Sequence, residues 1–246
     1  MQLFITNKFE IKIDQIYIYD EEIIHQLTKV LRCKKWDHLY MQKNNIFWTE
    51  NFTENLTRYS LEICEIQKSQ IITNINKSEE FSESTKKQEK PKISIAISYM
   101  NKREKYDRVI QKLWEIWVDE IIFRHADRST IHEISENKIQ RYRKISKEAT
   151  EQSRWKVQSN IYTIKDIYTH SQKYKHIYIA DYKWCELSSL WNLDKNILFI
   201  VWPEWGLTES EIAKFEKVWV KKVVLWENIL RTETAAIIWW WWLKNL

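Results

Sequence analysis

Glycine is nearly missing from this chain. One residue in 246, Gly206, is glycine, where the usual share of ~7% would give ~17. Such a chain has almost no residue suited to left-handed turns or to close approach of backbone and ligand. Cysteine is sparse too: Cys33, Cys64 and Cys185 are isolated thiols, and their spacing offers neither a zinc site nor a disulfide framework. That predicts a reducing, cytoplasmic setting and no metal. No stretch approaches the ~20 apolar residues that cross a bilayer, and MQLFITNKFEIKI lacks a basic region followed by an apolar one. The net charge is only +5, which permits a polyanionic partner without demanding one. At 44% hydrophobic and 30% charged, the composition is that of a soluble globular chain of one large or two modest domains.

What is present in excess is tryptophan. The fifteen tryptophans and single glycine together come to 16, close to the glycine expected. Position agrees with count: LWEIWVDEII and FEKVWVKKVV place Trp117 and Trp219 just past a helical run and before a β-rich one. That slot requires φ > 0 and is where glycine belongs, with the next apolar residue folding back on the helix. Count and position together predict that these tryptophans stand where the native protein has glycine, as they would if its organism reads UGA as glycine. The prediction covers Trp36, Trp117, Trp202, Trp205, Trp219 and Trp226, and with them Trp48, Trp155 and Trp184. It leaves Trp114, Trp191 and the run from Trp239 to Trp242 open. If those last four indoles are real, the apolar tail, too short to span a membrane, could sit at its interface.

Residues 1–75 alternate in the manner of strands: FITNKFEIKI, IYIYD, HLYMQ, YSLEICEIQ and IITNI. One helical patch, EEIIHQLTKVLRCKK, interrupts them, and KKWD after it reads as a turn if Trp36 is glycine. A small β-barrel is predicted. Lys29, Arg32, Lys34 and Lys35 lie close together in and after the patch, suited to phosphate oxygens or simply to a solvated face. Residues 76–91 are polar and charged, and are read as the linker. From residue 92 the chain alternates strand and helix to its end, which predicts a mostly parallel sheet with helices on both faces.

The last fifty residues carry the chemistry. ILFIVWPEWGLTESEI is a strand, a tight turn and a helix capped at Thr208 with Glu211 three residues on. VVLWENILRTETAAII is a β-rich run, a loop bearing Arg231 and a helix that Thr232 could cap. Two loops at the ends of neighbouring strands make a ligand site in an open α/β sheet. No rival nucleotide fingerprint exists, since restoring glycine at each tryptophan yields no GxGxxG after a strand.

These residues resemble the RsmE family, methyltransferases acting on N3 of a uridine in small-subunit (16S) ribosomal RNA. The family's Ile-Leu-Arg-Thr-Glu-Thr-Ala loop stands intact from Ile229 to Ala235. Its Gly-Pro-Glu-Gly-Gly loop reads Trp202, Pro203, Glu204, Trp205, Gly206. The resemblance extends through His25, Arg32, Lys35 and Asp37, through Ile110, Gln111 and Lys112, and through Arg128, Ser129, Glu148 and Glu151. It departs around Arg154, Trp155 and Lys156, where the family has a glycine-and-arginine pair. The resemblance implies a PUA-like RNA-binding barrel over 1–75 and a SPOUT methyltransferase domain over 92–246 with a C-terminal trefoil knot. It further implies S-adenosyl-L-methionine as cofactor, small-subunit ribosomal RNA or the assembled particle as partner, and a homodimer without membrane association.

Methyl transfer needs the donor held and the acceptor aimed. Uracil N3 is protonated at neutral pH, so the proton must leave or the resulting anion be stabilised. Arg231 is the candidate for stabilising it, in the manner of an oxyanion hole; a phosphate or carboxylate clamp is the alternative. Glu204 is a candidate base, or a residue that satisfies backbone amides in its turn. The expected cofactor pocket is backbone-lined, at Ile200, Val201, Trp202, Trp205, Gly206, Leu225, Leu230 and Ala235, with Thr234 as a contact or cap. RNA contacts are expected at Arg32, Lys34, Lys35 and Arg154. Two other readings stay open: a non-catalytic RNA-binding or ribosome-assembly factor of the same fold, and a SPOUT enzyme acting on another nucleotide.

Overall fold

A computed structural model describes residues 2–43, 56–81, 92–116, 118–129, 131–153, 160–181, 196–225 and 228–244. The expectations for Trp48, Trp117, Trp155, Trp184, Trp191, Trp226 and Arg154 lie outside the described residues. The chain divides into two compact units, Met1–Lys87 with Thr150–Val157, and Gln88–Ala149 with Gln158–Leu246.

The first unit is a six-stranded sheet of β1 (Leu3–Thr6), β2 (Phe9–Lys12), β3 (Gln15–Ile18), β4 (His38–Lys43), β5 (Leu56–Ile66) and β6 (Ile71–Phe81), in the order β1-β4-β5-β6-β3-β2. FITNKFEIKI is therefore two strands, broken at Asn7 and Lys8. Every pair is antiparallel except β1 with β4. Phe4 of β1 and Ile16 and Ile18 of β3 share one apolar cluster with Leu39, Met41, Leu61 and Ile63. The sheet thus wraps round its own core, although no ladder joins β1 to β2 among the described residues. The helical patch is shorter than its sequence suggests. Helix α1 (Glu21–His25), capped by Asp20, passes into a π-helical turn, Gln26–Val30, and ends there.

The linker expectation over 76–91 is corrected at its start. Residues 76–81 belong to β6, where Lys77 pairs with Ser60 and Glu80 with Thr57. This end of the β5–β6 hairpin extends beyond the core and leaves Lys77, Ser78, Glu79 and Glu80 exposed. A strand with both faces in water shows no apolar alternation, so sequence reads it as linker.

The second unit holds β7 (Ile93–Ser98), α2 (Arg103–Glu115), β8 (Glu120–Arg124), α3 (Glu136–Ser153), β9 (Asn160–Ile164), α4 (Ile167–Ser171), β10 (His176–Asp181), β11 (Ile197–Val201), α5 (Glu209–Lys217), β12 (Lys221–Val224) and α6 (Thr232–Lys244). The last turn of α3 groups with the first unit. All six strands are parallel, in the order β12-β10-β11-β7-β8-β9. Because strand side chains alternate in direction, β11 serves two cores. Ile197, Phe199 and Val201 face α2, α3 and α6, while Leu198 and Ile200 face α4 and α5. Trp239 of α6 stacks on Phe199, ring centroids 4.1 Å apart. The strand order runs outward from β7 to β9, then resumes on the other side with β11 set between β7 and β10. That reversal is a topological switch point, where open α/β sheets bind ligands beyond the carboxyl ends of their strands.

Candidate functional site

Two segments meet beyond the carboxyl ends of β11 and β12. The first turns sharply: Gly206 N–H donates to the Pro203 carbonyl at 3.0 Å, and Gly206 holds φ +72°, a left-handed value open to glycine without strain. It ends in the expected capping box, in which Thr208 Oγ1 accepts from Glu211 N and the Glu211 side chain accepts from Thr208 N. The second segment runs into α6, whose first residue, Thr232, donates its hydroxyl to the Trp202 carbonyl at 3.1 Å. That bond ties one loop to the other and uses the hydroxyl that sequence offered as a cap.

Between them lies a cavity of about 640 Å³, within the ~300–1,000 Å³ usual for small-molecule sites. Val201, Trp202, Glu204, Trp205, Gly206, Leu225, Leu230, Arg231 and Ala235 all line it. Two expected contacts do not. The Ile200 side chain points to the opposite face of β11, into the core under α5, and Thr234, half-buried on α6, lies outside the lining. Lys105, Arg128, Ala180, Leu207, Ile212 and Asn228 also line the cavity. Leu207, Ile212 and Asn228 belong to the two terminal stretches themselves, whereas Lys105, Arg128 and Ala180 come from a helix and from other strand ends, where motif spacing could not find them. For Lys105 the signal was a basic residue shortly after a strand, and Arg128 carries part of the family resemblance.

The charged groups differ in how far they are committed. Lys105 and Glu204 form an ion pair. Arg128 Nη1 donates to the Trp205 carbonyl at 2.9 Å. Arg231 is exposed, and its side chain has no hydrogen-bond or ionic partner among the described residues. Below the turn, Arg124 is 2% exposed and lies 3.5 Å from the equally buried Glu211. Burial pushes its guanidinium pKa down, opposed by the Glu211 charge. Glu211 accepts from Asp127 N at 3.3 Å, and Thr208 Oγ1 donates to Asp127 at 2.9 Å. The loop after β8 is thereby fastened to the loop after β11.

Backbone angles bear on the tryptophans. Among the described residues, four other than glycine have positive φ: Ile13, Arg32, Trp36 and Trp219. Trp36 is the third residue of a turn closed by Asp37 N–H to the Lys34 carbonyl at 3.2 Å, with φ +77°, the position where a type II turn takes glycine. Trp219 follows the C-cap Val218 of α5 at φ +59°. Trp219 N–H donates to Glu216 and Val220 N–H to Phe215, and Val220 and Phe215 share one apolar cluster. That is a Schellman motif with an indole in its glycine slot. The end of α2 repeats the outer bond, Val118 N–H to the Leu113 carbonyl at 3.1 Å. Trp114, Trp239 and Trp240 differ, being buried inside helices.

Residues 86–244 match a family model described as an RNA methyltransferase domain. The chain is 32% identical over 230 residues to ribosomal RNA small subunit methyltransferase E 2 of Borreliella burgdorferi, covering 90% of this chain and 88% of the relative. It is 28% identical to ribosomal RNA small subunit methyltransferase E of Buchnera aphidicola subsp. Acyrthosiphon pisum, covering 96% and 90%. Among solved structures it is similar to a Neisseria gonorrhoeae ribosomal RNA small subunit methyltransferase E bound to S-adenosyl methionine, with TM-score 0.78 and 19% identity, covering 100% and 97%. A Legionella pneumophila methyltransferase structure containing the same cofactor has TM-score 0.78 and 19% identity, covering 99% and 96%.

Proposed function

This chain belongs to the RsmE family of RNA methyltransferases, and on that premise we propose that it methylates N3 of a uridine in small-subunit (16S) ribosomal RNA, with S-adenosyl-L-methionine as donor. One observation carries the reading: the cavity at the switch point is walled by both terminal loops and presents an uncommitted arginine. When bound, the cofactor supplies a methyl group on a sulfonium. Val201, Leu225, Leu230 and Ala235 form apolar walls that exclude water from it, and the turn at Gly206 lets backbone approach it. Arg231 aims its donors at the uracil carbonyls and stabilises the charge left as the N3 proton departs. Glu204, already paired with Lys105, holds the turn, which is the structural role weighed for it against that of base.

The same reading assigns glycine to Trp36, Trp117, Trp202, Trp205, Trp219 and Trp226 in the native protein. Its support is the residue count, the left-handed backbone at Trp36 and Trp219, and the indoles of Trp202 and Trp205 in the cavity lining. Those two indoles, if real, favour the alternative of a non-catalytic RNA-binding factor. Intact mass of the natively expressed protein tests the assignment directly. Calorimetry tests its consequence: the protein with glycine at positions 202 and 205 is expected to bind S-adenosyl-L-methionine, and the protein with tryptophan there is not. Equal binding by both would sink the glycine assignment, and binding by neither would sink the cofactor.

The first unit is assigned to RNA, as a PUA-like barrel gripping phosphates through Arg32, Lys34 and Lys35. These three are exposed on the turn after the π-helical segment rather than on a helix face. The further assignments are a cytoplasmic homodimer and a trefoil knot around β11 and α6. No described helix is long and apolar enough to cross a membrane.

A further inference from the structure

We propose that Arg128 is the phosphate subsite for the acceptor nucleotide, an inference that rests on the methyltransferase reading above. The argument starts from charge. Among the described residues, Lys105, Arg128 and Arg231 line the cavity against one carboxylate, Glu204, and that carboxylate is taken by Lys105. Two guanidiniums are left over. The cofactor does not account for them, because its sulfonium and amino group outweigh its carboxylate and leave it a net cation. A surplus of positive charge in its pocket is unfavourable unless a second, anionic ligand shares the site. The phosphodiester of an RNA nucleotide is that ligand.

Position separates the two arginines. Arg231 follows β12 in the second terminal loop, with no partner for its side chain among the described residues. Arg128 comes from the loop after β8 and is anchored on both sides. Asp127 N–H is held by Glu211, the Asp127 carboxylate by Thr208, and Ser129 N–H by the Ala126 carbonyl at 2.8 Å. Beneath them sits the buried Arg124–Glu211 pair. A guanidinium has five N–H donors. The Trp205 carbonyl takes one of them, which fixes the plane of the fork and leaves the others for an oxyanion. A Cβ on Gly206 would lie 3.7 Å from Arg128 Nη1, so the fork spans the same turn that the cofactor's neighbours form. Arg128 therefore positions the acceptor by its phosphate while Arg231 meets its base.

The test uses the full chain translated in its native code, with Arg128→Gln and Arg128→Lys. Arg128→Gln is expected to weaken binding to a small-subunit ribosomal RNA fragment roughly tenfold and to reduce the slope of log affinity against log salt by about 0.7, one single-stranded phosphate contact. Its KM for RNA rises while its rate at saturating RNA and its affinity for S-adenosyl-L-methionine hold. Arg128→Lys recovers most of the RNA affinity, since a phosphate accepts an ammonium as a point charge. Arg128→Gln with unchanged RNA affinity and salt slope would show a brace for the Trp205 carbonyl and nothing more. Loss of cofactor affinity in parallel with RNA affinity would show a collapsed turn, and would overturn the proposal equally. Failure of the unsubstituted chain to bind the RNA at all would instead defeat the methyltransferase reading.

Discussion

The two ends of the parallel sheet are built to opposite specifications. At its amino end, Glu120 opens β8 with almost no exposure, and each of its oxygens is in use. Lys92 approaches Oε1 at 2.8 Å, while Ser94 and Tyr174 donate to Oε2 at 2.6 and 2.9 Å. Burial alone would raise its pKa, but these partners outweigh it and hold the carboxyl below the usual range. At the carboxyl end the Arg124–Glu211 pair is buried in the same way, but two of the cations that line the cavity are under-used. Among the described residues Arg231 has no partner and Arg128 spends one donor, and Ile229 and Trp205 stand 83% and 67% exposed. Satisfied buried groups contribute to folding, whereas exposed groups left ready for a ligand contribute little to it.

The largest expected effect breaks the carboxyl end alone. Arg231→Ala should lower kcat and kcat/KM together by a factor on the order of 100 or more, the usual consequence of losing one preorganised donor in a dry site. Lysine should rescue little, because an ammonium lacks the planar fork. Melting should change little, since the exposed side chain has no hydrogen-bond or ionic partner among the described residues. Single-turnover methylation of small-subunit particles at saturating RNA measures this, and an unchanged rate there would move Arg231 from catalysis to binding.

A smaller effect breaks the amino end alone. Glu120→Gln removes the charge that Lys92 faces, and should cost about 1–3 kcal/mol of folding free energy with the methyl-transfer rate of folded protein intact. The pH dependence has a definite sign. A carboxyl held below its ordinary value contributes stability that is full above pH 4.5, the ordinary value, and is lost as pH falls through the folded one. The wild type should thus lose more stability than Glu120→Gln on acidification below pH 4.5. Parallel acid limbs in urea melts at stepped pH would place the stabilisation elsewhere.

How much of this was legible in the sequence follows from the range of each interaction. The capping box at Thr208 and the turn at Trp36 involve neighbours within three residues, and both appear in the backbone as expected. The strands and helices of the second unit carry strong apolar periodicity and could be read the same way. The end of β6 could not, because its residues face water on both sides. Lys105 and Arg128 reach the cavity through sheet order, with Glu204 and Trp205 as partners 99 and 77 residues away. No local pattern encodes that. The motif is equally silent on side-chain direction at Ile200: adjacent strand residues face opposite layers, and the Ile200 side chain lies in the core under α5 rather than in the cavity lining.

The smallest expected effect sharpens the comparison at a point where the amino end breaks its own rule. Trp219 lies two residues before β12, 88% exposed, with a left-handed backbone that every neighbouring bond demands. An L-residue there costs roughly 1–2 kcal/mol, and the exposed indole recovers little of it. Glycine removes that strain and keeps both Schellman bonds, because they use main-chain groups only; its greater freedom when unfolded offsets part of the gain. Trp219→Gly should therefore stabilise the chain by about 1 kcal/mol, or about 2–4 °C in melting temperature for a chain of this size. Trp36→Gly should do the same in the first unit, where φ is again left-handed. Urea melts of the two single variants and the double variant decide the matter. Gains that add would mark both sites as built for glycine, whereas a loss at Trp219 would mean that the indole itself holds the helix end.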